Sequence, residues 1–138
     1  MKYEFEVVGK IVGKSRPRLN SYTGVVYTPT NTKDYENLIR QYFLINNKGP
    51  IKILESRVRV KIVAYFKIPQ STKKALISDM VENKISPTKK PDIDNIIKIV
   101  LDALNNFIIK DDIQVCKLET EKVYTQDEEK LYIEIEEY

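Results

Sequence analysis

The chain has 138 residues, 42% hydrophobic and 31% charged, with one cysteine and no histidine. That is the balance of one domain, large enough to bury a hydrophobic core without disulfide staples. The missing histidine excludes a histidine general base, a Ser-His-Asp triad and histidine-ligated zinc, and the single Cys116 excludes an intrachain disulfide or a cysteine zinc cluster.

The net charge of +3 hides an asymmetry: residues 119–138 hold eight acids and two bases, whereas residues 1–118 hold 21 bases and 12 acids. A basic body suits a polyanion, and a small acidic cluster within it suits a bound cation. A lysine-rich surface also keeps a protein soluble, so the excess alone does not decide between these roles. No apolar run approaches the roughly 18 residues of a membrane helix. The opening MKYEFEVVGK alternates and carries two glutamates, unlike a signal peptide, so a cytoplasmic location is expected.

In chain order, residues 3–12 read as a strand with imperfect alternation. GKSRPRLNSYTGVVYTP (13–29 with its lead-in) is rich in Gly, Pro, Ser and Asn and predicts a long loop or loose hairpin. Thr30 or Thr32 can cap a helix over 32–47 whose apolar face is Tyr35, Leu38, Ile39, Tyr42 and Ile45. Residues 57–68 are the clearest strand, with Val58, Val60, Ile62, Ala64, Phe66 and Ile68 on one face and Arg59, Lys61, Tyr65 and Lys67 on the other. Pro69 stops it. Ser71 then caps a short helix over 72–82, with Leu76, Ile77, Met80 and Val81 inward, and NKISPTKKP follows as a basic loop.

A helix over 92–106 is strongly amphipathic, with Ile93, Ile96, Ile97, Val100, Leu101, Leu104 and Phe107 on one side and Asp94, Lys98, Asp102 and Asn105 on the other. After an Asn105-Asn106 turn, residues 107–124 read as strand, interruption at Asp111-Asp112, and strand again. Residues 130–137 alternate, with Leu131, Ile133 and Ile135 inward. The order predicts an α+β or mixed α/β domain, a largely antiparallel or mixed sheet packed with about three helices. Cys116 is expected to be a buried, inert core residue.

Two acidic stretches stand out: PDIDNIIK (91–98) and DDIQV (111–115). An aspartate at a helix start ordinarily caps it, and Asp92 after Pro91 is placed to do so. Asp94 lies about 200° further around the axis, where a pair with Lys98 four residues on would also be ordinary. Adjacent aspartates interrupting a strand are less ordinary, because Asp is depleted in strands. A helix over 92–106 is about 22 Å long, and an extended 106–112 segment at about 3.3 Å per residue can return over that distance. Three carboxylates can therefore meet, and they would repel one another unless a cation lay between them. A hard divalent ion, Mg2+ or Mn2+, suits such oxygen ligands. Lys98 could then stabilise phosphate charge or position the attacking water.

With these residues in hand, PDIDNIIKIVLDALNN followed by KDDIQV resembles the RusA family of Holliday junction resolvases. That family's hallmark is Asp-x-Asp-Asn-x-x-Lys, then Asp-Ala-Leu-Asn, then Asp-Asp-x-Gln-Val. GKSRPRLNS and VYTPTNTKDYE are similar to its Arg-Pro-Arg segment and Tyr-Thr-Pro helix lead-in, so the likeness spans about 9 to 125 and makes the chain one RusA-like domain over 1–138. The resemblance implies that Asp92, Asp94 and Asp112 are catalytic metal-binding aspartates, that Asp111 is a neighbouring carboxylate, and that Lys98 is the essential lysine. It also implies a homodimer that binds four-way DNA junctions and makes paired, symmetric nicks with Mg2+, Mn2+ substituting. Where some members carry aromatic or arginine residues before the first aspartate, this chain has Thr88-Lys89-Lys90-Pro91.

Lys14, Arg16, Arg18, Lys73, Lys74, Lys84, Lys89 and Lys90 fall in loops or near helix ends, and several are expected to contact phosphates. The nine tyrosines suggest packing more than base stacking, with Tyr22 and Tyr27 as the exceptions. Two rival readings stand beside a nuclease. One is a non-catalytic branched-DNA-binding protein whose aspartates only cap and pair. The other is a Mg2+ phosphohydrolase of small phosphates, which fits poorly with the basic loops.

Overall fold

A computed structural model describes residues 1–27 and 29–138. Thr28, within the Tyr-Thr-Pro segment, and the Tyr27 side chain lie outside the described residues. A four-stranded mixed sheet has the order β1 (Lys2–Val8), β6 (Lys130–Glu137), β4 (Val58–Lys67), β5 (Val115–Thr125), antiparallel except for the parallel β4–β5 pair. The strands β2 (Arg18–Leu19) and β3 (Val26–Tyr27) form a separate hairpin. The helices are α1 (Thr30–Asn46), α2 (Lys74–Val81) and α3 (Ile93–Leu104), which matches the expected α+β class and helix number.

Alternation builds the core. Tyr3, Phe5 and Val7 of β1, Val58, Val60, Ile62, Ala64 and Phe66 of β4, and Leu131, Ile133 and Ile135 of β6 are all buried. They share that core with Tyr35, Ile39 and Phe43 of α1 and Ile96, Ile99, Val100, Ala103 and Leu104 of α3. Phe43 meets Tyr3, Phe5 and Phe107 edge to face at centroid distances of 5.1, 5.3 and 5.5 Å, the arrangement that ring quadrupoles favour.

Several sequence expectations give way to this packing. Helix α1 turns its Thr32-Tyr35-Ile39-Phe43 row inward, so Ile45 is exposed and Phe43 takes the place assigned to it. Neither threonine caps α1: its N-cap is Pro29 without a side-chain bond, and the buried Thr32 Oγ1 instead accepts from Ser15 N at 3.3 Å. Ser71 does not cap α2, which starts after Lys73 and buries only Met80, leaving Leu76 and Val81 exposed beside an edge strand. Residues 107–110 are not a strand but a tight return, with Ile108 and Ile109 buried and Leu54 N donating to Ile108 O at 2.7 Å. Cys116 is exposed rather than buried. The β4–β5 register shifts at Val58/Arg59, pairing Val115 and then Lys117, so Cys116 is the extra residue of a bulge on an edge strand.

One packing feature positions everything functional. The segment after β1 is pinned by Gly9 N to Glu129 O at 2.8 Å, Ile11 N to Glu129 Oε2 at 2.9 Å and Lys14 N to Asn95 O at 2.9 Å. Gly13 therefore lies against the start of α3, where a Cβ would fall 2.7 Å from Pro91 Cβ and 3.1 Å from Asn95 Cβ. Only a residue without a side chain fits there. Gly13→Ala is expected to lower stability by about 1–3 kcal/mol through overpacking, read as a lower urea midpoint at unchanged slope. An unchanged midpoint would contradict this close approach.

Candidate nucleic-acid and metal site

The pinned segment and the start of α3 face each other across an open cleft of about 720 Å³. One wall carries Lys10, Lys14, Arg16 and Arg18, and the other carries Lys90, Asp92, Asp94 and Asn95. Of the basic residues expected at a DNA surface, the cleft gathers Lys14, Arg16, Arg18 and Lys90. Lys74 lies instead at a shallow depression with Ile77, Val81 and Gln126, and Lys73 precedes it at the α2 N-cap. Lys84 pairs with Glu82 at 2.9 Å. Lys89 sits 5.4 Å above the Phe66 ring, and its carbonyl accepts from Lys122 Nζ. Lys10 and Asn95 are cleft residues that the basic-cluster reading missed, and nothing local in the sequence separates Lys10 from the other surface lysines.

The two carboxylates at the start of α3 are exposed. Asp92 occupies the N-cap position with extended backbone, yet its side chain makes no capping bond. The Asp94–Lys98 pair that the spacing suggests does not form either. Lys98 Nζ turns the other way along the helix and donates to Asp102 Oδ1 at 2.9 Å. Neither ordinary role for the pair is thus filled, and both carboxylates remain facing the cleft.

Asp111 is the aspartate that caps. Its side chain accepts from Ile113 N at 3.2 Å, while Gln114 Oε1 accepts from Asp111 N at 3.0 Å, a reciprocal box around a 3-10 turn at Asp112–Gln114. Gln114 Nε2 then donates to Leu54 O and Ser56 O at 3.0 and 2.8 Å, which anchors the turn to the body. Asp112 is the first residue of that turn and is partly exposed. A hydrogen bond with Asp111, partial burial and the Asp111 charge raise its carboxyl above the ordinary 3.8, with Lys98 opposing. The charges of Lys98 and Asp102 also act on it, and the turn that carries it packs against α3.

Behind the cleft lies an ion-pair chain. Lys14 Nζ lies 2.7 Å from Glu36 Oε1 of α1 and 3.0 Å from Asp102 Oδ2 of α3. Arg40 closes the chain by donating from Nε to Ala103 O at 2.9 Å. Burial opposes the charge of Lys14, but hydrogen bonds and charges from Glu36 and Asp102 prevail and hold it above the ordinary 10.5. Burial likewise opposes the charge of Asp102, and Lys98 and Lys14 outweigh it and hold the carboxyl below 3.8. Asp102 is thus a hub, orienting Lys98 on one side and fixing the basic wall on the other.

The donor chemistry fits a hard divalent ion. Mg2+ characteristically takes one or two carboxylates, keeps several waters and completes its shell with substrate phosphates, and Asp92 and Asp94 offer two free carboxylates beside a phosphate-sized basic wall. Among the described residues no three His, Cys, Asp or Glu side chains are gathered as a metal cluster, and Asp92, Asp94 and Asp112 do not converge as a set. No helix among them is long and apolar enough to cross a membrane.

Comparison with known proteins bears on the chain as a whole. A family described as "Endodeoxyribonuclease RusA" matches residues 9–136, which include the pinned loop, α3 and the Asp111-Asp112 turn. The chain is also 31% identical over 128 residues to an uncharacterized protein, YqaN, of Bacillus subtilis (strain 168), covering 90% of this chain and 89% of that one.

The hub makes a pH-dependent prediction. A carboxyl held below 3.8 stabilises the fold at higher pH and loses that contribution as pH falls through its folded value. Asp102→Asn is expected to cost about 1 kcal/mol near neutral pH. Thermal melts across pH should show the gap between wild type and variant constant down to about pH 5 and closing below about pH 4; a gap that persists in acid would contradict the ion-pair assignment.

Proposed function

This chain belongs to the RusA endodeoxyribonuclease family, and from that premise we propose that it is a Mg2+-dependent, structure-selective endodeoxyribonuclease that resolves four-way (Holliday) junctions by paired symmetric nicks. The observation that carries this reading is the pair of uncommitted carboxylates, Asp92 and Asp94, in a cleft walled by Lys10, Lys14, Arg16, Arg18 and Lys90. Metal-assisted phosphodiester hydrolysis uses both features side by side: cations to hold a polyanion, and acidic oxygens to hold a divalent ion at the scissile phosphate.

The exposed Lys10, Arg16, Arg18 and Lys90 hold backbone phosphates, giving affinity without reading sequence. Asp92 and Asp94 hold the ion, with Asp112 as the third acidic member of the set and Asp111 supporting it through its turn. When bound, Mg2+ supplies activation of water and neutralisation of charge on the phosphodiester, and Mn2+, similarly hard, substitutes. Lys98, steered by Asp102, stabilises charge developing on the phosphate. A homodimer with a two-fold axis presents two such sites to a substrate of matching symmetry, which accounts for paired nicks. Recombination and repair of DNA in the cytoplasm is the setting that such an activity serves.

A second reading, a branched-DNA-binding protein without catalysis, is favoured by one observation: no three-carboxylate metal cluster is gathered among the described residues. One assay separates the two. A synthetic four-way junction should be nicked in pairs with Mg2+ and not with EDTA, and Asp94→Asn should slow nicking at least about 100-fold while leaving binding intact. Junction binding with no cleavage in Mg2+ or Mn2+ would establish the second reading instead.

A further inference from the structure

The hairpin that leaves the cleft carries an apolar tip that none of the described residues covers. Leu19, Val25 and Val26 are each more than half exposed, and Tyr22, at the turn, is 98% exposed. Single exposed apolar residues are unremarkable, but four within eight positions form a patch of the kind that marks a contact surface.

The tip is built to hold its shape without outside support. Asn20 Oδ1 accepts from Tyr22 N at 2.9 Å and Thr23 N at 3.2 Å. Asn20 N donates to Val25 O at 2.8 Å, and Gly24 N donates to Asn20 O at 2.8 Å. Gly24 supplies the positive φ of +71° that closes the turn. The backbone is therefore satisfied internally, and the Tyr22 ring is held away from the body.

The base of the hairpin is the cleft wall itself. Arg16, Pro17 and Arg18 line the cleft, and Arg18 is also the first residue of β2. Tyr22 thus lies at most about 13 Å along the chain from a phosphate-binding arginine, at extended spacing. A polyanion seated on those arginines meets the tip next, and the large apolar surface that DNA offers is the face of a base. In a linear duplex those faces are stacked on one another; at a branch point the stack is interrupted.

We propose, resting on the nuclease reading above, that this hairpin is a branch-point reader. Tyr22 stacks on a nucleobase exposed at the junction crossover while Arg16 and Arg18 hold the flanking phosphates, and the phenol hydroxyl keeps the wet edge solvated. The preference for branched over linear DNA resides in this tip, and general affinity resides in the cleft.

The test is fluorescence anisotropy in EDTA, comparing a four-way junction with a linear duplex of equal length. Tyr22→Ala should weaken junction binding about tenfold, the loss typical of a stacking aromatic, with duplex binding and the salt dependence of both unchanged. Tyr22→Phe should retain wild-type preference, and Arg18→Ala should weaken both substrates. Equal loss on both substrates, or no loss on either, would overturn the inference while leaving the nuclease reading standing. A fall in sedimentation mass with Tyr22→Ala would overturn it too, assigning the tip to contact with a second copy of the chain. Wild-type protein that binds neither DNA would be a different result, removing the nuclease reading and this inference together.

Discussion

Lys14 is the residue on which the arrangement turns. Its ammonium lies between Glu36 of α1 and Asp102 of α3, at 2.7 and 3.0 Å, and its backbone N–H binds the carbonyl of Asn95. One residue thereby ties a glycine- and proline-containing loop to two helices. The site needs opposite charges close together but not neutralising one another, and this tie achieves that. Lys14 and Asp102 are consumed in holding the loop, whereas Arg16, Arg18, Asp92 and Asp94 are left facing the cleft. The charges that hold the loop and the charges left unpaired at the cleft are different residues.

The absence of histidine gives the site its chemical character. The cleft offers only carboxylates, cationic side chains and neutral polar groups, so any chemistry there is electrostatic in kind. The same logic explains why the aspartates divide their labour. Asp111 spends its carboxylate on a cap and steadies the turn that carries Asp112. At α3 the cap position is filled by Asp92 without the cap bond, which leaves helix N–H groups and a carboxylate together at the cleft. A helix start that forgoes its cap gives up roughly 1 kcal/mol, a cost that fits a residue kept for a ligand.

Sequence pattern was a good guide wherever a strict period met a single buried face. The strands at 58–67 and 130–137 follow from alternation and the helix after Asp92 from helical spacing, although Ile93, assigned inward, is exposed and Ile99 and Ala103 are buried instead. It was a poor guide where long-range contacts chose between local equals. Lys14 reads like Arg16 in a loop, and only its distant partners Glu36 and Asp102 make it structural. Asp92 and Asp111 each look like caps, and only the Gln114 side chain, anchored on Leu54 and Ser56, decides that Asp111 is one. Ile45 and Phe43 are both apolar, but the β1 ring cluster selects Phe43. Cys116 is a small apolar residue in a strand, and the bulge that exposes it is a property of register that no single strand carries. The resemblance in the two acidic stretches extended to a whole-chain match, whereas which basic residues share a cleft emerged only from the fold.

In a manganese-soaked crystal of the wild-type protein, anomalous scattering would locate the ion independently of any activity. A peak in the cleft, within ligating distance of Asp92 and Asp94 and facing Arg16 and Arg18, is the expected result. Crystals that bind manganese elsewhere and leave both carboxylates without a peak would contradict the assignment of this cleft as the metal and phosphate site.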